Sequence, residues 1–171
     1  MDKKFTYGNK YVCNLEKKTI FLPVELENLP DKLIIGEFTL FKRSEFHVSL
    51  VCVGKIIEKY KISIPDFWNK VVDDFYEFTR TKKIEIIGYK DEFKFVVREN
   101  KKTVVVMCEM SNLNEFFDFI NHKYTLNIDY PPAHITLYTL DGESGIFLIS
   151  IDDIKNFTKP ITNPIGFILQ S

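Results

Sequence analysis

The same five-residue pattern occurs twice in the chain and fixes two of the strands that its fold must contain. Residues 46–50 and 133–137 each run apolar, histidine, apolar, serine or threonine, apolar. Alternation with a period of two is typical of a half-buried β-strand, in which residues i and i+2 point to the same face. We therefore predict two strands that each present one imidazole and one hydroxyl side by side.

The rest of the sequence predicts an α+β fold in which helices pack on a mixed or antiparallel sheet. Helical spacing of apolar residues predicts one helix after Pro65 and Asp66 and another after Asn112, where Glu115 suggests a capping box. A short helical turn is expected near residues 151–156. Further strand candidates cover residues 33–40, 46–53, 84–89, 92–98, 103–110 and 133–140, with shorter ones at 146–150 and 166–169.

Length and composition indicate one domain. The chain has 171 residues, of which 45% are hydrophobic and 27% are charged. These values are ordinary for a globular protein, and no Gly/Ser-rich or low-complexity segment marks a hinge. We predict a single domain over residues 1–171, with two similar halves that each contribute one of the matched strands.

The charge balance limits the kind of partner. The formal net charge is −1, which argues against coating of nucleic acid by a broadly basic surface. A local basic pocket for a small nucleotide or an RNA end stays possible. The pairs Lys42–Arg43 and Lys101–Lys102 are too short in sequence to form basic patches. Contact of Lys42 and Arg43 with a phosphate or a nucleobase stays open, but a solvated turn is the favoured role for both.

The cysteines and the hydropathy pattern carry no sign of secretion or of a membrane. Three cysteines, an odd number, fit no zinc-binding spacing, and we expect buried free thiols. No segment approaches the ~18 continuous apolar residues of a membrane-spanning helix. The default expectations are a cytoplasmic location, no membrane partner and a monomer.

The residue types in the two matched segments suit phosphodiester hydrolysis. Such a reaction needs a base that takes a proton from water and an acid that protonates the leaving oxygen. Imidazole, with an unperturbed pKa near ~6.5, serves in either role near neutral pH. His47 and His134 are thus the candidate catalytic pair, in either order. Ser49 and Thr136 are the candidate donors to the non-bridging phosphate oxygens.

The two motifs resemble the paired His-x-Ser/Thr-x signatures of the two-histidine (2H) phosphoesterase superfamily, with residues 33–169 covered by the resemblance. It implies a two-lobed fold whose antiparallel sheets form a central groove with helices on the outside. It also implies a metal-independent enzyme without a cofactor, acting on a 2′,3′-cyclic phosphate or a 2′-5′ linkage of a nucleotide or RNA terminus. Hydrolysis, ligation and transesterification all stay open.

Tyr138 is a weaker candidate for substrate binding. It lies two residues after Thr136 and so belongs to the same face of a regular strand, although a half-buried structural role is equally open. The segment 141–145 is either a loop that closes over substrate or an ordinary hairpin turn. His122 follows a helical stripe and is assigned to a helix terminus, outside the site.

Two other functions are compatible with the sequence. One is a catalytically silent nucleotide- or RNA-binding module on the same fold, and the intact histidines and hydroxyls argue for the enzyme instead. The other is an interaction domain whose 16 Phe and 8 Tyr residues mark a partner surface. Much of this aromatic content falls at core-facing helix positions, which weakens that hypothesis.

Overall fold

An antiparallel β-sheet is the framework of the fold. The computed structural model describes residues 4–7 and 10–170, which form ten strands and four helices. The strands are β1 Lys4–Tyr7, β2 Tyr11–Asn14, β3 Thr19–Val24, β4 Lys32–Ile35, β5 Phe38–Lys42, β6 Phe46–Cys52, β7 Ile86–Arg98, β8 Lys101–Met110, β9 His134–Thr139 and β10 Thr158–Ile161. The helices are α1 Val53–Tyr60, α2 Phe67–Thr81, α3 Leu113–Tyr124 and α4 Ile151–Phe157.

Across the sheet, hydrogen-bonded neighbours lie in the order β1-β2-β3-β6-β9-β8-β7-β10. The hairpin of β4 and β5 joins this sheet through the pairing of β5 with β9. Each of these pairings is antiparallel. The prediction of an α+β fold with a largely antiparallel sheet is therefore confirmed.

The two motif strands meet at the centre of this order but barely pair. β6 and β9 share one residue pair, Val48 with Ile135, whereas β3 and β6 share six. Further along β9, the hairpin strand β5 takes over the same edge through Phe41 and Lys42. The sheet thus consists of a group of strands on each side of a narrow junction, and each group contributes one motif strand.

Both motif strands contain a bulge directly after the hydroxyl residue. In β6, Ser49 pairs with Phe21 and Val51 with Ile20, so Leu50 is an extra residue. In β9, Thr136 pairs with Val105 and Tyr138 with Val104, so Leu137 is an extra residue. A bulge of this kind turns the following side chains to the opposite face. The two strands therefore share both their motif and their backbone irregularity.

The bulge in β9 overturns the assignment of Tyr138 to substrate binding. Tyr138 pairs with Val104, whose side chain belongs to the main core, and its own side chain is fully buried there. The hydroxyl donates a hydrogen bond to the carbonyl oxygen of Pro30 at 2.8 Å. Burial raises the pKa of Tyr138 to about 12. The side chain is structural because the extra residue Leu137 moves it off the face of Thr136.

Two apolar clusters cover the two faces of the sheet. The main core packs the buried faces of α1, α2 and α3 against the sheet, with Phe75 of α2 and Phe116 of α3 in edge-to-face contact at 5.2 Å. The smaller cluster joins Val105 and Met107 of β8 to Ile146, Leu148 and α4. Because successive strand residues alternate, the second cluster lies on the face that carries Thr136. Much of the aromatic content is thus internal.

The helices agree with the sequence patterns except at two points. The predicted helices after Asp66 and Asn112 and the short one near residue 151 are present as α2, α3 and α4. The capping box at Asn112 is wrong: its side chain donates to the carbonyl of Lys83 at 2.7 Å, while Glu115 pairs with Lys82. Helix α1 was not predicted, because its first residue continues the apolar run of β6.

Five strand predictions also need correction. Residues 33–40 form a hairpin that turns at Gly36, whose φ of +59° is readily available to glycine. Residues 84–89 and 92–98 lie largely on one continuous strand, β7, in which the polar residues between them form a bulge and not a chain reversal. Residues 146–150 and 166–169 are irregular, whereas the unpredicted β10 pairs with β7.

The three cysteines are free and buried, as predicted. Burial raises the pKa of Cys13 to about 11 and that of Cys52 and Cys108 to about 12. In residues 4–7 and 10–170, no helix combines the length and the apolar character that crossing a lipid bilayer requires.

The structural role of Tyr138 predicts a loss of stability from Tyr138→Phe. Removal of a buried hydroxyl that serves a carbonyl is expected to lower the free energy of unfolding by about 1 kcal/mol, measured by urea denaturation. Tyr130→Phe is the matched control, because its hydroxyl makes a hydrogen bond of 2.6 Å to Asp118 at the surface. Equal losses in the two variants would contradict the burial of Tyr138.

Candidate functional site

A groove of about 560 Å³ is lined by all four residues predicted from the two motifs, His47, Ser49, His134 and Thr136. They reach the same face because their neighbours Val48 and Ile135 are fully buried on the other. The structure therefore brings together the four principal candidates, and it leaves Tyr138 out.

The single pair between the two strands fixes how these side chains face one another. Val48 lies opposite Ile135 in antiparallel register. The residues on either side of this pair are therefore also opposite each other across the two strands: His47 faces Thr136, and Ser49 faces His134. The two histidines then lie on a diagonal, which in a regular antiparallel sheet spans about 7–8 Å. Imidazole and hydroxyl therefore alternate around the same groove.

The ring of His134 is oriented by the backbone that leads into its strand. Its Nδ1 lies 2.6 Å from the carbonyl oxygen of Pro132. A carbonyl only accepts, so Nδ1 carries the proton and Nε2 is left as the nitrogen that can exchange one. Burial lowers the pKa of His134 below its ordinary value near 6.5, and the bond to Pro132 opposes this shift. Burial is the larger effect, which favours the neutral ring.

The ring of His47 packs against an aromatic neighbour. Phe21 of β3 lies with its ring centroid 4.7 Å from that of His47, the planes tilted by 43°. Phe21 pairs with Ser49 across the two strands and also lines the groove. The contact restricts the imidazole to one side of the groove. Phe21 could not be identified from the sequence, because only the pairing of β3 with β6 brings it to the motif.

Gly145, in the irregular segment after β9, leaves the hydroxyl of Thr136 open to the groove. A methyl group on Gly145 would lie 3.8 Å from Thr136 Oγ1 and 3.9 Å from Nη1 of Arg43. Gly145 thus borders both polar groups without filling the space between them. Thr136 itself is only 8% exposed, so a hydrogen bond from its hydroxyl would be formed largely shielded from water.

Arg43 lines the groove, although the sequence favoured a solvated turn over a phosphate contact for this residue. It is half-buried, and its Nε is buried without a hydrogen-bond acceptor in the described chain. Its backbone N–H donates to the carbonyl of Leu137, the bulged residue of β9, at 3.0 Å. The bulge therefore anchors Arg43 beside the second motif.

The environment of Arg43 keeps its charge in the groove. Burial lowers the pKa of Arg43, whereas Glu45, Asp141 and Glu143 oppose that shift. A guanidinium stays protonated through shifts of this kind. Lys42, the other half of the dipeptide, points elsewhere and pairs with Asp31 at 2.7 Å.

The groove as a whole carries a small excess of positive charge. Its basic residues are Lys17, Arg43 and Lys101, and its acidic residues are Glu45 and Glu143. The chain as a whole has a formal net charge of −1, so the positive charge of the groove is local, as the composition allowed.

The segment after β9 is ordered by one carboxylate. Asp141 accepts hydrogen bonds from the hydroxyl of Thr139 at 2.9 Å and from the backbone N–H groups of Glu143 and Ser144 at 2.9 and 2.7 Å. The Ser144 hydroxyl also donates to Asp141, and this bond, followed by those from the backbone N–H groups and from Thr139, holds the pKa of Asp141 well below its usual range. The same segment places Glu143 and Gly145 in the groove wall. It forms an internally bonded turn.

The third histidine of the sequence lies outside the groove. His122 is exposed in the last turn of α3, at the helix terminus where it was predicted. Within residues 4–7 and 10–170, no three His, Cys, Asp or Glu side chains are grouped so that they could hold a metal ion.

The chain matches no protein-family model, no curated protein and no solved structure. The geometry of the groove is therefore the basis for a functional hypothesis.

The hydrogen bond to Pro132 predicts the protonation state of His134. We expect the Nδ1–H tautomer and a titration midpoint below pH 6.5, because burial disfavours the imidazolium. Long-range ¹H–¹⁵N NMR spectra as a function of pH measure both properties, and the spectrum of His134→Gln assigns the signals. An Nε2–H tautomer, or a midpoint above 6.5, would contradict this assignment.

Proposed function

We propose that the groove is the active site of a metal-independent phosphodiesterase of the two-histidine type, within a two-lobed 2H phosphoesterase-like fold. The observation that carries the proposal is the convergence of four motif side chains, His47, Ser49, His134 and Thr136, on one groove. The substrate is a phosphodiester of a nucleotide or RNA end, either a 2′,3′-cyclic phosphate or a 2′-5′ linkage.

The proposed reaction uses His134 as the base. Its Nε2 takes a proton from the attacking water, whose oxygen forms the new bond to phosphorus. The neutral ring favoured by burial is the form that can accept this proton. The bond of Nδ1–H to the Pro132 carbonyl supports the imidazolium that results.

His47 is then the acid, across the diagonal from His134. Its protonated ring gives a proton to the ribose oxygen as the bond from phosphorus to that oxygen breaks. The contact with Phe21 holds the imidazole in place for this transfer. One proton is taken up and one is released in each turnover, so exchange with solvent restores both histidines.

The charge that develops on the phosphate is met by three groups. The hydroxyls of Ser49 and Thr136 donate to the non-bridging oxygens, and Arg43 supplies a fixed positive charge beside Thr136. Preorganised donors in a partly buried groove stabilise a transition state more than donors in water do. A silent nucleotide-binding module would use the same groups without proton transfer.

Removal of either imidazole is expected to abolish most of the activity. His47→Gln and His134→Gln should each lower kcat/KM by at least ~10²-fold, because each removes one proton transfer. The assay follows hydrolysis of 2′,3′-cyclic nucleotides, of a short RNA with a cyclic phosphate terminus and of a 2′-5′-linked dinucleotide, with a chelator present. His122→Gln is the matched control and should retain full activity.

Three results would count against this enzyme. Activity that survives in both groove variants would remove the assigned roles, and activity that disappears with chelator would remove metal independence. Tight nucleotide binding without turnover on any of these diesters would favour the silent binding module.

The pH dependence of kcat/KM should reflect the environment of His134. The base acts in its neutral form, so activity is lost as the pH falls through its pKa. Because burial lowers that pKa, the acidic limb should lie below pH 6.5. A limb centred above pH 6.5 would contradict the role of His134 as the buried base.

A further inference from the structure

A second cavity continues from the groove. It has a volume of about 510 Å³, and it shares four wall residues with the first, Lys101, Gly145, Ile146 and Phe147. These residues belong to the start of β8 and to the irregular segment after β9. A ligand whose reacting group lies between the histidines can therefore extend past them into a second space of nearly equal size.

The wall of the second cavity is rich in cations. It contains four basic side chains and three carboxylates, namely Lys55, Lys59, Arg98, Lys101, Glu58, Glu99 and Asp153. One carboxylate is already used, since Asp153 accepts from the backbone N–H of Ile149 at 2.8 Å. Lys101, at the junction of the two cavities, forms no ion pair with any residue in the described ranges.

The other cations are held at the cavity by neutral partners or by a solvent-exposed pair. Lys59 donates to the hydroxyl of Ser150 at 2.6 Å. Arg98 lies 4.5 Å from the ring centroid of Phe157, and Nη1 is 3.5 Å from the carbonyl of Phe147. Lys55 pairs with Glu58 at 2.9 Å with both side chains well exposed. Exposed pairs of this kind are weak and readily exchanged.

An aromatic ring stands between the two spaces. Phe147 is half-buried, lines both cavities and has Lys55 Nζ 5.7 Å from its centroid. A series of cations interrupted by an aromatic ring is an arrangement with which proteins hold single-stranded nucleic acid, because bases stack on the ring while the cations contact the phosphates.

We propose that the second cavity binds the nucleotides on the 5′ side of the reacting phosphate, so that the substrate is the 3′ end of an RNA strand and not a free mononucleotide. This inference rests on the proposed function of the groove. A single nucleotide fits within the first cavity, whose volume is already that of a complete small-ligand site. A longer strand occupies the second cavity, with the base of the penultimate nucleotide against Phe147. The phosphates that flank this nucleotide then lie near Lys55, Arg98 and Lys101.

Binding of two probes tests this proposal independently of turnover. One is a fluorescein-labelled RNA trinucleotide with a 2′-O-methyl group and a 3′-phosphate at its last residue, followed by anisotropy. The other is the corresponding nucleoside 3′-monophosphate, followed by calorimetry. The wild-type chain is expected to bind the trinucleotide at least ~10-fold more tightly.

Two variants locate the additional affinity. The double variant Lys55→Gln and Arg98→Gln should bind the trinucleotide about 10-fold more weakly and the mononucleotide within about twofold of wild type. The slope of log affinity against log salt for the trinucleotide should become shallower by about 1.4. Phe147→Leu, which keeps an apolar side chain but removes the stacking face, should lower the ratio of the two affinities without any change in charge.

Lys70→Gln with Arg80→Gln is the matched control, because it removes the same charges from the exposed face of α2. Equal affinity of wild type for the two probes, or an equal loss for both probes in the second-cavity variants, would overturn the proposal. If these length-dependent differences are found while no diester is hydrolysed, the proposed catalysis fails and the strand-binding cavity stands.

Discussion

The contact between Val48 and Ile135 determines the arrangement of the site. It is the one residue pair by which β6 and β9 hold together in the described chain, and both side chains are fully buried. Because strand residues alternate, burial of this pair turns the residues before and after it to the opposite face. The antiparallel register then sets each histidine against the hydroxyl of the other strand. One apolar contact thus orients four polar groups.

The two bulges explain why the strands part beyond this contact. Leu50 and Leu137 are extra residues at equivalent positions, directly after Ser49 and Thr136. Each bulge ends the regular alternation, so that Val51 and Tyr138 are buried in the main core. The groove consequently has room on the far side of the hydroxyls. In β9 the bulged carbonyl also binds the N–H of Arg43 and brings a cation to the space that results.

The sequence predicted what depends on local periodicity. His47, Ser49, His134 and Thr136 could be identified because alternation along a strand is a property of a few consecutive residues. Tyr138 could not be placed, because the bulge that moves it appears only in the pairing of β9 with β8. Gly145 and Phe147 line the site through an irregular segment that has no periodic pattern. Helix α1 was missed because the apolar run of β6 continues into its first turn.

Arg43 and Lys101 were not among the predicted site residues for a related reason. Lys42–Arg43 and Lys101–Lys102 are short pairs that do not form a patch in the sequence, and only one member of each faces the groove. Arg43 comes from the segment before β6, and Lys101 is the first residue of β8. Their convergence is a product of the strand order, in which β9 lies between β6 and β8. A neutral chain can in this way build a basic site from charges that are distant in sequence.

The surroundings of His134 combine two opposing effects that suit one role. Burial disfavours the imidazolium and keeps the ring neutral in the empty groove, while the Pro132 carbonyl stabilises the proton once it has arrived. An anionic phosphate bound beside Arg43 would act in the same direction as the carbonyl. The ring would then be neutral before the reaction and a better proton acceptor with substrate in place. A base with this behaviour needs a fixed backbone carbonyl and a buried ring, and the carbonyl is supplied by Pro132, which leads into β9.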